Sequence, residues 1–279
     1  VRIGNLAGRL VLLDGDRAVD VEAASGGRFG PDPQAVYAEW DAFRAWASAV
    51  DLGGGAGFDP AELGAPVPAP RQVFAIGLNY RDHAAESGYD APDGLPPVFT
   101  KFATSITGPV TEVALPPGGH TDWEVELVAV IGRRARNVPE DEGWDHVAGL
   151  TVGQDISERI SQMAGPAPQF SLGKSFPGFA PTGPWVVTPD EFADPGDLEL
   201  SSAINGEEVQ KARTRELIFS VPLLVARLSA VLPLLPGDLV FTGTPAGVGL
   251  GRAPQRWLAP GDELVSRIEG IGELRQRFV

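Results

Sequence analysis

Along most of this chain apolar and polar residues alternate over short runs, the period of strands, and only two stretches repeat at the spacing of a helix. Residues 124–131, Glu-Val-Glu-Leu-Val-Ala-Val-Ile, predict a strand with Glu124 and Glu126 on one face and Val125, Leu127 and Ala129 on the other. Residues 73–76 and 147–155 predict two more. A hairpin is expected over residues 9–20, turning near Asp14-Gly15-Asp16. A second is expected over 198–210, turning on Asn205-Gly206, a favoured two-residue turn. Val36, Trp40, Phe43, Trp46 and Ala47 recur at intervals of three and four, which predicts an amphipathic helix over residues 35–50. A second long helix is expected over 221–232, where Pro233 and Pro236 stop it. Leu235-Pro-Gly-Asp and Ala259-Pro-Gly-Asp each read as a turn feeding a strand.

A length of 279 residues suits one large domain or two modest ones. The Gly- and Pro-rich residues 53–70 read as a linker between a small opening unit, residues 1–68, and a main unit, residues 69–279. The 35 glycines and 26 prolines fall in no low-complexity repeat, so they demand many tight turns. The expected class is therefore α+β with sheet predominating. A net charge of −15 works against binding nucleic acid or an anionic membrane surface. No apolar run reaches the length of a membrane span, and the first residues carry no signal-peptide pattern. The absence of cysteine removes disulfides, thiolate catalysis and Cys-ligated zinc, and makes a reducing cytoplasm the expected location.

Two carboxylates on one strand face repel and raise each other's pKa unless a cation lies between them, and oxygen ligands suit Mg2+ or Mn2+. Alone, Glu124 and Glu126 read as well as a solvated strand face. Asp155 adds a third carboxylate at the end of an apolar strand. In a helical turn it would share a face with Arg159 and Gln162, completing a metal site that binds an oxygen-rich anion. The plainer alternative is that Asp155 caps that turn and pairs with Arg159. Asn79 is placed to cap a short helix that Gly88 ends, with His83 and Glu86 at i and i+3. A His held by a carboxylate is a usable general base; a surface His–Glu pair is the alternative. Lys174 is a surface lysine or, near a metal, a partner for a carboxylate or an enolate oxygen. Residues 240–249 end a strand in a Gly-rich loop without nucleotide-binding spacing, whose N–H groups and Thr244 hydroxyl could cradle a small carboxylate.

In order, several segments match one family. They are Ile-Gly-Leu-Asn-Tyr-Arg-Asp-His-Ala-Ala-Glu at 76–86, Pro-Val-Phe-Thr-Lys-Phe at 97–102, Trp-Glu-Val-Glu-Leu-Val-Ala-Val-Ile-Gly at 123–132 and Gly-Gln-Asp-Ile-Ser-Glu-Arg at 153–159. Gly173-Lys-Ser-Phe, Pro181-Thr-Gly-Pro, Asn205-Gly, Leu235-Pro-Gly-Asp and Thr242-Gly-Thr-Pro-Ala-Gly-Val-Gly follow. The chain from about residue 70 onward thus resembles the fumarylacetoacetate hydrolase superfamily, especially its acylpyruvate-hydrolase-like branch. The resemblance implies a β-rich α+β core behind a small N-terminal domain, usually as a homodimer. It implies Glu124, Glu126 and Asp155 as ligands of Mg2+ or Mn2+, and Arg159, Gln162, Lys174 and Thr244 around an α-keto acid head. His83 and Glu86 would be the catalytic dyad, with Lys174 assisting. The implied activity is hydrolysis of a C–C bond in an acylpyruvate-type β-diketo acid, through an enolate held by the metal, as in aromatic catabolism. Oxaloacetate decarboxylation, isomerisation or hydration of a 2-keto-alkenoate, and an inactive metal-binding homologue are the alternatives. Ile160 and Pro177 stand where the family often has Asp, which bears on the pocket wall.

Overall fold

The alternating run at 125–131 is a strand, and it lies within a twelve-stranded sheet at the centre of the protein. The structure, a computed structural model, describes residues 1–86, 88 and 94–279. The sheet runs from Ala56–Gly57 through Arg17–Asp20, Arg9–Asp14 and Arg2–Leu6 to Ala180–Val187. It continues through Val147–Gln154, Val125–Ile131, Leu239–Phe241 and Val73–Ile76 to Val98–Thr100. A five-stranded second sheet contains the expected hairpin, Glu199–Ile204 and Glu207–Arg213. Asn205 and Gly206 both take positive φ there, 53° and 84°, as the tight two-residue turn requires. The fold is α+β and mostly sheet.

Val125–Ile131 is buried on both faces, which alternation alone does not reveal. Val125, Leu127, Ala129 and Ile131 share a core with Leu224, Val225 and Leu228 of the helix Val221–Val231. Ser220 caps that helix and Pro222 sits in its first turn. On the other face Val128 and Val130 share a core with Ile3, Leu12, Trp40 and Phe43. The opening segment thus shares sheet and core with the rest: Arg2–Leu6 pairs with Ala180–Val187, Ile3 opposite Val186. Residues 53–70 are more than a linker, since Ala56–Gly57 and Leu63–Gly64 both pair into the sheet. The helix expected over 35–50 divides into a 3-10 turn, Ala35–Glu39, and an α-helix, Trp40–Ala47. Among the described residues no helix is long and apolar enough to cross a membrane.

Strand register positions the site. Val125–Ile131 and Val147–Gln154 run antiparallel with Val125 opposite Gln154, so the residue before one strand meets the residue after the other. Glu124 and Asp155 become neighbours, and the Asp155 N–H donates to the Glu124 carbonyl at 2.9 Å. On the other side Val128 lies opposite Phe241, which delivers the loop after Phe241 to Glu126.

Candidate active site

Glu124, Glu126 and Asp155 each offer a carboxylate oxygen, and the three lie within 4.8 Å of one another, all buried. Burial of three such charges needs counter-charge. Lys174 Nζ supplies it to Glu124 Oε2 and Asp155 Oδ2, both at 2.7 Å. Arg159 Nη2 lies 2.7 Å from Glu124 Oε1 and 2.8 Å from Asp122 Oδ2. Lys101 Nζ lies 2.5 Å from Asp155 Oδ1 and also donates to the Lys174 carbonyl. Burial alone would raise Glu124, but Lys174 and Arg159 outweigh it and hold that carboxyl well below the usual range. Burial would lower Lys174, but Asp155 and Glu124 outweigh it and hold its ammonium up.

Among the described residues Glu126 has no ion-pair partner. Its Oε2 accepts the Gly243 N–H at 2.7 Å, and burial together with Asp155 and Glu124 pushes its carboxyl well up. Gly243 is needed for that approach: its φ is +97°, and a Cβ would lie 2.7 Å from the Asn79 Cβ. A cluster of carboxylates with one left uncompensated fits a hard divalent cation ligated by oxygens.

The repulsion on Glu126 gives a test. Glu126→Gln removes the charge at nearly constant shape, so the metal-free variant should melt above the wild type at neutral pH. Because the folded-state pKa is raised, ionised Glu126 costs stability above the unfolded value, and the gap should close as pH falls into the ordinary carboxylate range. Mn2+ should raise the wild-type melting temperature and leave that of the variant near its metal-free value. An equal shift in both would remove Glu126 from the ligand set.

His83, Glu124, Arg159, Gln162, Lys174 and Thr244 line one cavity of about 530 Å³. His83 Nδ1 lies 3.4 Å from Glu86 Oε2 on the helix Arg81–Glu86, and the Gly247 N–H fixes that carboxylate at 3.1 and 3.2 Å. Ser87, after that helix, lies outside the described residues.

Three local expectations are corrected. Asp155, Arg159 and Gln162 do not share a helix: the chain after Asp155 is extended, and Ser157–Glu158 pairs with Thr121–Asp122. The helical turn is Arg159–Gln162, capped by the Glu158 carboxylate, so Asp155 is not its cap. Asn79 is not a helix cap either. Its fully buried amide donates to the carbonyls of Phe219 and Thr242 and accepts the Phe219 N–H, tying the dyad segment to the Gly-rich loop. In the Gly-rich loop the Thr244 hydroxyl, which lines the cavity, donates to the Val125 carbonyl and accepts from Gln210, and the Gly243 N–H donates to Glu126.

Two members of the charged network carry no signal strong enough to stand out locally. Asp122 accepts from the N–H groups of Gly249 and Leu250 and from Arg159 Nε, joining the Gly-rich loop to the helical turn. Lys101 sits inside the 97–102 segment, and that segment's match to the family is the one signal that could have marked it.

The model of the fumarylacetoacetate hydrolase C-terminal family matches residues 72–279. Human "Oxaloacetate tautomerase FAHD2A, mitochondrial" is 43% identical over 216 residues, 77% of this chain and 68% of its own. A solved structure of a Mycobacterium smegmatis protein provisionally named HpcE is 58% identical, with a TM-score of 0.95, covering 100% of this chain and 99% of that one. Maleylpyruvate hydrolase from Sphingobium sp. SYK-6, solved with manganese(II) and pyruvate, is 29% identical at a TM-score of 0.81, covering 100% and 99%.

Proposed function

The chain belongs to the fumarylacetoacetate hydrolase family, and from that premise we propose that it is a divalent-metal-dependent hydrolase cleaving a C–C bond in acylpyruvate-type β-diketo acids. The observation that carries this reading is that His83 and Glu124 line one cavity, with Glu86 hydrogen-bonded to His83 and with Glu126 and Asp155 clustered against Glu124. The Sphingobium relative, solved in complex with manganese(II) and pyruvate, supports it, because pyruvate is what such a cleavage leaves behind.

Glu124, Glu126 and Asp155 would hold Mg2+ or Mn2+, which when bound supplies Lewis-acid polarisation of the keto acid's oxygens. Charge balance agrees: among the described residues Asp122, Glu124 and Asp155 pair with Lys101, Arg159 and Lys174, and Glu126 is a fourth carboxylate beside these three cations. A dication and one substrate carboxylate bring that set to neutrality. Gln162 accepts from Arg159 through its carbonyl, leaving its NH2 to donate to the substrate carboxylate. Two N–H bonds of Lys174 go to Glu124 and Asp155, and the third is available to the keto oxygen as it gains charge. His83, positioned by Glu86, takes a proton from water, and the hydroxide adds to the carbonyl carbon farther from the carboxylate. The bond from that carbon to the methylene breaks, and its electron pair passes into the enolate of the α-keto acid. The proton on His83 then goes to the methylene carbon. The products are pyruvate and a carboxylic acid.

A second reading rests on the human relative's name: the same residues could move a proton between keto and enol forms without attack by water. Heavy-oxygen water separates the two. Hydrolysis puts one heavy oxygen into the released acid; tautomerisation releases neither acid nor pyruvate, and that outcome would overturn the hydrolase proposal.

A further inference from the structure

The cavity has two unlike ends. Its polar floor is the charged network of Glu124, Arg159 and Lys174; its outer wall is Leu78, Pro97, Phe99, Met163, Phe170 and Leu250. The Lys174 Nζ lies 4.8 Å from the centroid of the Phe99 ring, so the apolar wall begins where the floor ends. Phe99 and Phe170 meet edge to face with centroids 5.7 Å apart. Farther out, Met163 and Leu250 remain 49% and 39% exposed, large apolar side chains left in contact with water at the mouth.

Cations available to a second anionic group are missing from this lining. Arg159 and Lys174 are committed to Asp122, Glu124 and Asp155, and among the described residues no other Lys or Arg lines the cavity. A substrate carboxylate held against the Phe99 and Phe170 rings, inside the mouth, would lose hydration and meet no uncommitted Lys or Arg among the described lining residues.

We infer that the substrate's tail, the acyl group beyond the distal carbonyl, is an uncharged alkyl or aryl group, and that keto acids ending in a second carboxylate are poor ligands. The inference rests on the keto-acid reading of the same cavity and narrows it. It also sets this chain apart from the relatives named for oxaloacetate and maleylpyruvate, compounds with two carboxylates.

The test is a binding measurement that needs no turnover. With Mn2+ present, calorimetry compares 2-oxooctanoate with 2-oxooctanedioate, the same chain ending in a methyl or a carboxylate, and uses pyruvate as the head alone. The methyl-ended acid should bind at least about tenfold more tightly than the dioate. Each methylene added to the monoacid series should tighten binding about fourfold until the cavity is filled. Leu250→Arg, with its fold checked by thermal melting, should shrink the gap by giving the second carboxylate a partner. Equal or tighter binding of the dioate by the wild type, with pyruvate still bound, would overturn the tail assignment alone. Failure of all three acids to bind would overturn the keto-acid reading and the tail assignment with it.

Discussion

Lys101→Met should cost the metal-free protein about 3–5 kcal/mol of folding stability, although Lys101 lies outside the dyad and the carboxylate set. Its side chain is fully buried, and its ammonium meets Asp155 at 2.5 Å. Burial pushes that ammonium down, and Asp155 opposes the push. Methionine keeps the length and apolar character of the stem, but it leaves Asp155 with Lys174 as its one ammonium partner and the Lys174 carbonyl without this donor. The carboxylate cluster, already one cation short, becomes two short. Denaturant unfolding measures the loss. Added Mn2+ should recover part of it, because the ion would bring positive charge to the same carboxylates. A variant within about 1 kcal/mol of the wild type, the range of an exposed ion pair, would show that Lys101 does not hold the cluster together.

His83→Ala should lower turnover by roughly a hundredfold to ten-thousandfold, the usual worth of a positioned acid–base group, while Mn2+ affinity stays close to wild type. The two effects separate because the hydrogen-bond partner of His83 is Glu86, whereas the carboxylates take theirs from Lys101, Arg159, Lys174 and Gly243. Steady-state kinetics beside metal titration reads both. Full activity in the variant would remove the dyad from the mechanism. Loss of metal binding along with activity would mean that His83 supports the cluster instead.

The parts of this site that sequence makes legible are those governed by short-range periodicity. Glu124 and Glu126 share a face because strand side chains alternate, and His83 and Glu86 meet because three residues make nearly one helical turn. Asp155 is legible as the residue that follows an apolar strand. Its relation to Arg159 is not, because the extended backbone between them is imposed by pairing of Ser157–Glu158 with Thr121–Asp122, which no local window contains. Asp122 is hidden for the same reason: its partners Arg159, Gly249 and Leu250 are 37, 127 and 128 residues away. The opening strands look self-contained in sequence, yet Ile3 pairs with Val186, and nothing in either segment states that register. Trp40 and Phe43 advertise an amphipathic helix but not the face of Val128 and Val130 that shares their core.

The measurement that bears most directly on the proposed chemistry is the ultraviolet absorbance of an acylpyruvate with an uncharged tail, followed with and without Mn2+, with oxaloacetate run in parallel. The expected result is metal-dependent loss of the acylpyruvate signal with one pyruvate formed for each molecule consumed. Metal-dependent change in oxaloacetate alone, with the acylpyruvate intact and no pyruvate released from it, would contradict C–C hydrolysis as the activity of this site.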